Sequence, residues 1–180
     1  MSNILVNTIK DTGNNTLLSS DGSGSVTLGS GFPQNTPAFE AQLTSTQSIT
    51  DLTYTKVEID NEIFDTNNCY DNSTNYRFTP TVSGKYFVYA SVAGDPLAVN
   101  ELEELRVNIY KNGSSIRSTV INFSNNDARL ATLSIQATVD MNGTTDYLEI
   151  YGRVNDISGS PQFYGLNNET YFGAYKVIGA

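Results

Sequence analysis

Apolar and polar residues alternate most strictly between Leu130 and Val139, where Ala131, Leu133, Ile135, Ala137 and Val139 are interleaved with Thr132, Ser134, Gln136 and Thr138. A period of two residues marks a strand with one face buried and the other wet or packed on a partner. Shorter alternating runs recur at even spacing and predict strands at 39–43, 55–59, 63–64, 76–80, 86–92, 105–110, 116–123, 130–139, 147–154 and 171–178. No stretch carries a comparable helical period. In Phe78-Thr-Pro80-Thr-Val-Ser-Gly84-Lys-Tyr86-Phe-Val88-Tyr89 a Pro-containing strand feeds a turn-forming glycine that launches an aromatic strand. Lys111-Asn112-Gly113-Ser114 is the strongest hairpin signal, and Asp140-Met141-Asn142-Gly143 is expected to be a second hairpin turn of the same chemistry. About ten strands with loops of mixed length predict an all-β, antiparallel jelly-roll sandwich.

The start of the chain reads differently. Residues 4–9 form a short apolar strand, Asp11 to Asn15 a turn, and Leu17-Leu18 a return strand, together a small hairpin. Ser19-Ser-Asp21-Gly-Ser-Gly-Ser25 has the composition of a linker, followed by Val26-Thr-Leu28. A lone hairpin is marginal in water, so residues 1–32 are expected to be an arm held by something else, with the globular domain spanning 37–180.

Composition narrows the partners. The chain has 180 residues, 38% of them hydrophobic, and a net charge of −9 with a pI near 4.3, so it lacks the basic field needed for nucleic acid or an anionic membrane. No apolar run approaches the roughly 20 residues that cross a bilayer, and Met1 to Asn7 has no basic segment leading a long apolar one, so no export signal is expected. With no histidine and one cysteine, an intrachain disulfide is excluded and the usual nucleophile and general-base sets are missing. Cys69 reads as a small buried or half-buried residue. The carboxylates that could serve sugar hydrolysis, Glu101, Glu103, Glu104, Asp60 and Glu62, read as solvated charges, so no enzyme is expected. Asp65-Thr-Asn67-Asn68 and Asp71-Asn72-Ser73 supply oxygens that suit Ca²⁺, the one cofactor left open, but the regular calcium-loop pattern is absent. Asn-x-Ser/Thr triplets at Asn14, Asn72, Asn112, Asn122, Asn142 and Asn168 read as composition rather than glycosylation sites.

From about Pro37 to Ile178 the sequence resembles the C1q/tumour-necrosis-factor-like superfamily. The resemblance rests on Pro37-Ala-Phe39-Glu-Ala41, Asp65-Thr-Asn-Asn-Cys-Tyr70-Asp71, Tyr76-Arg-Phe78-Thr-Pro80, Gly84-Lys-Tyr86-Phe-Val88 and Tyr171-Phe172-Gly173-Ala174-Tyr175. Ile59 stands where the family's signature has an aromatic, and the segment from Tyr70 to Phe78 is one residue longer than usual. The resemblance implies a compact jelly-roll homotrimer whose last strand lies near the three-fold axis. Tyr171, Phe172 and Tyr175 would then meet their copies, or else serve as core aromatics, and Gly173 would let a neighbour approach closely.

Ile4-Leu-Val-Asn-Thr-Ile-Lys10 followed by Asn14-Asn-Thr-Leu-Leu-Ser-Ser-Asp-Gly22 resembles the opening of virion proteins from tailed phages of marine and freshwater bacteria. Together these resemblances imply a virion-surface protein whose partners are its own copies and the major capsid or tail proteins. Ile4, Leu5, Val6, Ile9, Leu17 and Leu18 would form the virion anchor, and capsid decoration is the first placement. The alternative is the receptor-binding tip of a tail fibre or baseplate, reading host surface glycan or protein through loops around Asn67, Asn72, Asn125 and Tyr164. A free carbohydrate-binding module is a third.

Overall fold

The computed structural model describes residues 6–29, 31–32, 34–123, 127–157 and 159–179. They fall into two compact units, one up to Gln34 and one from Asn35 to Ile178.

The first unit is a three-stranded antiparallel sheet of β1 (Thr8–Lys10), β2 (Thr16–Ser20) and β3 (Val26–Leu28), in that order. The stretch read as a linker is instead the tight turn between β2 and β3. The Asp21 carboxylate accepts the backbone N–H groups of Ser23 and Ser25, a local alternative to extended chain that Asp and Ser favour. Val26–Leu28 is thereby folded back onto β2, with Leu18 opposite Leu28.

The second unit is a two-layer antiparallel sandwich. One sheet contains β4 (Ala38–Gln42), β5 (Gln47–Ser48), β7 (Asn61–Asp65), β10 (Gly84–Asp95), β13 (Ala131–Met141), β15 (Gln162–Phe163) and β16 (Tyr171–Lys176). Its central strand, β10, pairs along its length with β13 and on its other side with β16 and then β15, and β16 passes the ladder on to β4 and β7. The other sheet contains β6 (Thr55–Lys56), β8 (Tyr70–Asp71), β9 (Arg77–Phe78), β11 (Leu102–Lys111), β12 (Ser114–Asn122) and β14 (Leu148–Asp156). β11 lies between β12 and β14, and β6 and β9 share the far edge of β14.

The predicted alternation sets the core. Ile135, Ala137 and Val139 of β13 and Tyr86, Val88, Ala90 and Val92 of β10 turn inward against Leu105, Val107 and Ile109 of β11 and Ile150 and Val154 of β14. Phe39 stacks on Tyr70 and Phe78 at 4.6 and 4.5 Å and meets the edge of Phe172 at 4.8 Å, while Phe78 meets Tyr86 at 5.6 Å. Residues quoted for the family resemblance thus converge on one aromatic cluster of the core, where rings add to their burial through stacked and edge contacts. The Tyr70 and Tyr86 hydroxyls donate to the carbonyls of Ile59 and Val82, so neither is buried without a partner. Cys69 is also buried, its Sγ 3.6 Å from the Asn67 carbonyl.

Two turns with the same dipeptide have different fates. Asn112-Gly113 has φ values of 51° and 77° and closes the β11–β12 hairpin, where glycine and asparagine tolerate the left-handed region. Asn142-Gly143 closes no hairpin, because β13 pairs with β10 and β14 with β11: the turn carries the chain from one sheet to the other. Its Asn142 Oδ1 accepts the backbone N–H groups of Thr144, Thr145 and Asp146, which holds the crossover.

Candidate interaction face

The outer surface of the seven-stranded sheet is built by the residues that alternate with the core set. On β10 these are Phe87, Tyr89 and Ser91. On β16 they are Tyr171, Gly173 and Tyr175, and the register sets them opposite Ser91, Tyr89 and Phe87 respectively. Phe87 lies 5.5 Å from Tyr175 and 6.2 Å from Tyr89, and Tyr89 lies 6.3 Å from Tyr171, so four rings run in one connected band. A Cβ at Gly173 would fall 2.4 Å from the Tyr89 ring. The glycine therefore makes room for a ring of the same chain.

The band continues across β4. The Tyr89 hydroxyl donates to Glu40 Oε2 at 2.7 Å, and burial followed by that carboxylate pushes the phenol above its usual range. Phe64 of β7 pairs with Glu40 and keeps 45% of its surface exposed, with Ile63 beside it at 51%. The β13 margin of the face is lined by Ser134, Gln136 and Thr138, and a Lys85–Asp140 ion pair closes one end.

The outer face of the second sheet has the opposite character. Glu104 is buried beneath Arg106 and Arg153, and Glu149 pairs with Lys56. Tyr110 stacks on Tyr151 at 4.2 Å, and Arg77 lies over Tyr147 at 4.6 Å. Hydrogen bonds from Arg106, then from Asn122, hold the Glu104 carboxyl below its ordinary range. Glu104 is therefore not the solvated charge expected from sequence, and as a committed anion it is unsuited to general-acid work. Glu103 is bonded by Asn155, and Asp60 accepts the N–H and hydroxyl of Thr44.

The remaining expected site residues are dispersed. Phe172 is fully buried and points into the core, one residue out of phase with Tyr171 and Gly173, so it drops out of the suspected contact set. Asn67 follows Thr66, whose N–H donates to the carbonyl of Ala38, level with Tyr175 and Phe87 in the sheet, whereas the Tyr164 N–H donates to the carbonyl of Ala93, six residues further along β10 and about 20 Å away. Asn72 is spent on the Asp60 carbonyl. These three form no common recognition surface, and Asn125 lies outside the described residues. The oxygen-rich turns consume their own carboxylates. Asp65 accepts the N–H groups of Asn67 and Tyr70, and Asp71 those of Ser73, Thr74 and Asn75. Among the described residues no group of three or more His, Cys, Asp or Glu side chains is placed to hold a metal ion.

Of the expected anchor, Ile4 and Leu5 lie outside the described residues. Ile9 and Leu18 pair on one face of the first unit's sheet, and strand alternation puts Leu17 on the other. Val6 joins Ile9, Leu18 and Val26 around a shallow cavity of about 130 Å³. Sequence reading missed Phe87, Tyr89 and Phe64, although the signal was present: Tyr86-Phe87-Val88-Tyr89 is apolar in both phases, the mark of a strand covered on both faces.

No protein-family model and no curated protein matches this chain. Among solved structures, Eiger TNF from S. frugiperda superposes with a TM-score of 0.57 at 8% identity, over 79% of this chain and 93% of that one. Murine APRIL gives 0.56 at 10% over 78% and 98%, and the globular domain of zebrafish complement 1qA gives 0.50 at 17% over 79% and 98%. The fold is an all-β antiparallel sandwich resembling C1q/TNF domains.

Proposed function

We propose that this chain is a non-enzymatic virion structural protein of a tailed phage: a homotrimeric jelly-roll knob joined to the particle through its first unit, with capsid decoration as its role. The observation that carries the assembly is the contrast between the two outer faces. One is knitted into ion pairs around the buried carboxylates of Glu104 and Glu149. The other offers a band of aromatic side chains around the Glu40 carboxylate, the composition of a subunit interface core. The likeness of the aromatic last strand to the C1q/tumour-necrosis-factor-like family, whose fold the solved structures share, supports three copies meeting on this face. The virion placement is supported by the likeness of residues 4–22 to phage virion proteins. Arms on one trimer bind particles with avidity, because each later arm docks at high effective concentration.

Two experiments test this reading. Sedimentation equilibrium of the purified chain is expected to give a mass of three chains, and a single-chain mass at micromolar concentration refutes the trimer. Deleting residues 2–20 is expected to abolish attachment to purified particles while leaving the knob assembled; undiminished attachment refutes the anchor. Copy number separates decoration from a tail-fibre tip, with hundreds per particle expected for decoration.

A further inference from the structure

The three-stranded sheet of the first unit is amphipathic in a way the arm model does not use. Ile9 of β1, Leu18 of β2 and Leu28 of β3 are aligned across the sheet on one face, with Val26 two residues along on the same side. Thr8, Ser19 and Thr27 are aligned on the other face. The apolar row is open: Ile9, Leu28 and Val26 retain 44%, 49% and 61% of their surface. A sheet with one apolar face has to bury that face against another element. The hydroxyl face has no such need.

We infer that the occupant of the apolar face is the same face of other copies of this chain, so that the first unit is a second self-association element beside the knob. The inference rests on the proposed trimer. Three observations select this occupant over a foreign surface. The segment to Gln34 carries only Lys10, Asp11 and Asp21, a net −1 of the chain's −9, so like-charge repulsion between copies is small where the rest of the chain would oppose it. Those charges are held in the turns rather than on the apolar row: Lys10 donates to Asn14, Asp11 accepts from Asn15, and Asp21 accepts from Ser23 and Ser25.

The third is the tether. Only residues 29–36 separate β3 from the start of the sandwich near Pro37, a reach of at most about 30 Å for a fully extended chain. Copies brought together by the knob therefore meet at an effective concentration on the order of millimolar. An intrinsic affinity of about 1 mM, roughly −4 kcal/mol, is enough to populate the contact there. Burial of two or three aliphatic side chains per copy supplies an affinity of that order, after the cost of ordering them. Leu17, on the opposite face, and the outer edges of β1 and β3, which no other strand pairs among the described residues, remain for the particle.

The test is thiol cross-linking of the full chain in a Cys69→Ser background with a short bis-maleimide. Leu28→Cys places a thiol on the apolar row, and Thr27→Cys places one on the hydroxyl face of the same strand. Covalently linked chains are expected from Leu28→Cys in at least about tenfold excess over Thr27→Cys, as facing thiols at millimolar effective concentration require. Equal yields from the two variants, in protein whose sedimentation mass is three chains, overturn the inference and leave the knob trimer standing. Leu28→Cys that is alkylated freely in solution but protected on purified particles also overturns it, because the occupant is then the shell. A single-chain mass with no cross-linking removes the trimer itself.

Discussion

Phe172 and Tyr175 lie three residues apart on the last strand, and truncating each tests a different half of the structural argument. The Phe172 ring is fully buried, with its edge on Phe39 at 4.8 Å and on Tyr70 at 5.9 Å. Phe172→Ala removes that ring from the centre of the core cluster and is expected to cost about 3–5 kcal/mol, the transfer of the ring plus the cavity left behind. For a domain of this size each kcal/mol lowers the melting temperature by roughly 2–4 °C, so the midpoint should fall by roughly 6–20 °C. Tyr175 is 39% exposed and touches mainly Phe87. Tyr175→Ser should cost the single chain about 1 kcal/mol or less, the value of one aromatic pair at the surface. If the outer face is the subunit contact, the same change removes an interface aromatic worth about 2 kcal/mol or more per copy and weakens association by at least about 30-fold. Circular-dichroism melting and sedimentation equilibrium, run at one protein concentration, read the two effects separately. Tyr175→Ser with the wild-type association constant would refute the assignment of the face. Phe172→Ala melting within 2 °C of wild type would refute the core.

Three further outcomes follow from the geometry. The Asp71 carboxyl is lowered to about 2, first by the Thr74 backbone N–H and then, against a smaller burial effect, by Asn75. Its contribution to the 71–75 turn is fully present above pH about 4 and is lost as pH falls through about 2, which the Thr74 and Asn75 amide signals in NMR should report; an unchanged turn at pH 2 contradicts it. Burial pushes the Tyr86 hydroxyl up to about 12, so its contribution is present below pH 10 and is lost as pH rises through 12. Tyr86→Phe should therefore shift the alkaline unfolding midpoint upward, while costing about 1 kcal/mol at neutral pH through the lost bond to Val82. Asn142→Ala frees three backbone N–H groups in the sheet-to-sheet crossover and should destabilise the sandwich by about 1–2 kcal/mol in urea unfolding; a change under 0.3 kcal/mol would show the cap to be idle.

Much of the fold was legible because it is written in short-range pattern. The alternation from Ala131 to Val139 gave β13 and its inward face, and Asn112-Gly113 placed a hairpin, because both depend on backbone geometry within a few residues. Two of the failures share a long-range cause. Asn142-Gly143 has the same local chemistry as Asn112-Gly113, yet whether a turn returns to its own sheet or crosses to the other depends on partners tens of residues away. Asp21 to Ser25 has linker composition, and only the pairing of Val26–Leu28 with β2 makes it a turn. Phe172 could have been separated from Tyr171 and Tyr175 by strand phase alone.

What the amino-acid order determined by itself is the kind of element and the side of each element that is apolar, since both follow from a two-residue period and from the φ preferences of Gly and Asn. Beyond the tight hairpins, tertiary structure alone decided which strands became neighbours. That choice put Tyr89 over Gly173 and against Glu40, joined Phe87, Tyr171 and Tyr175 into one band, and kept Asn67 and Tyr164 apart. The physical reason is that strand pairing is long-range: a face becomes a surface only when residues from positions 40, 64, 89 and 173 are brought into register.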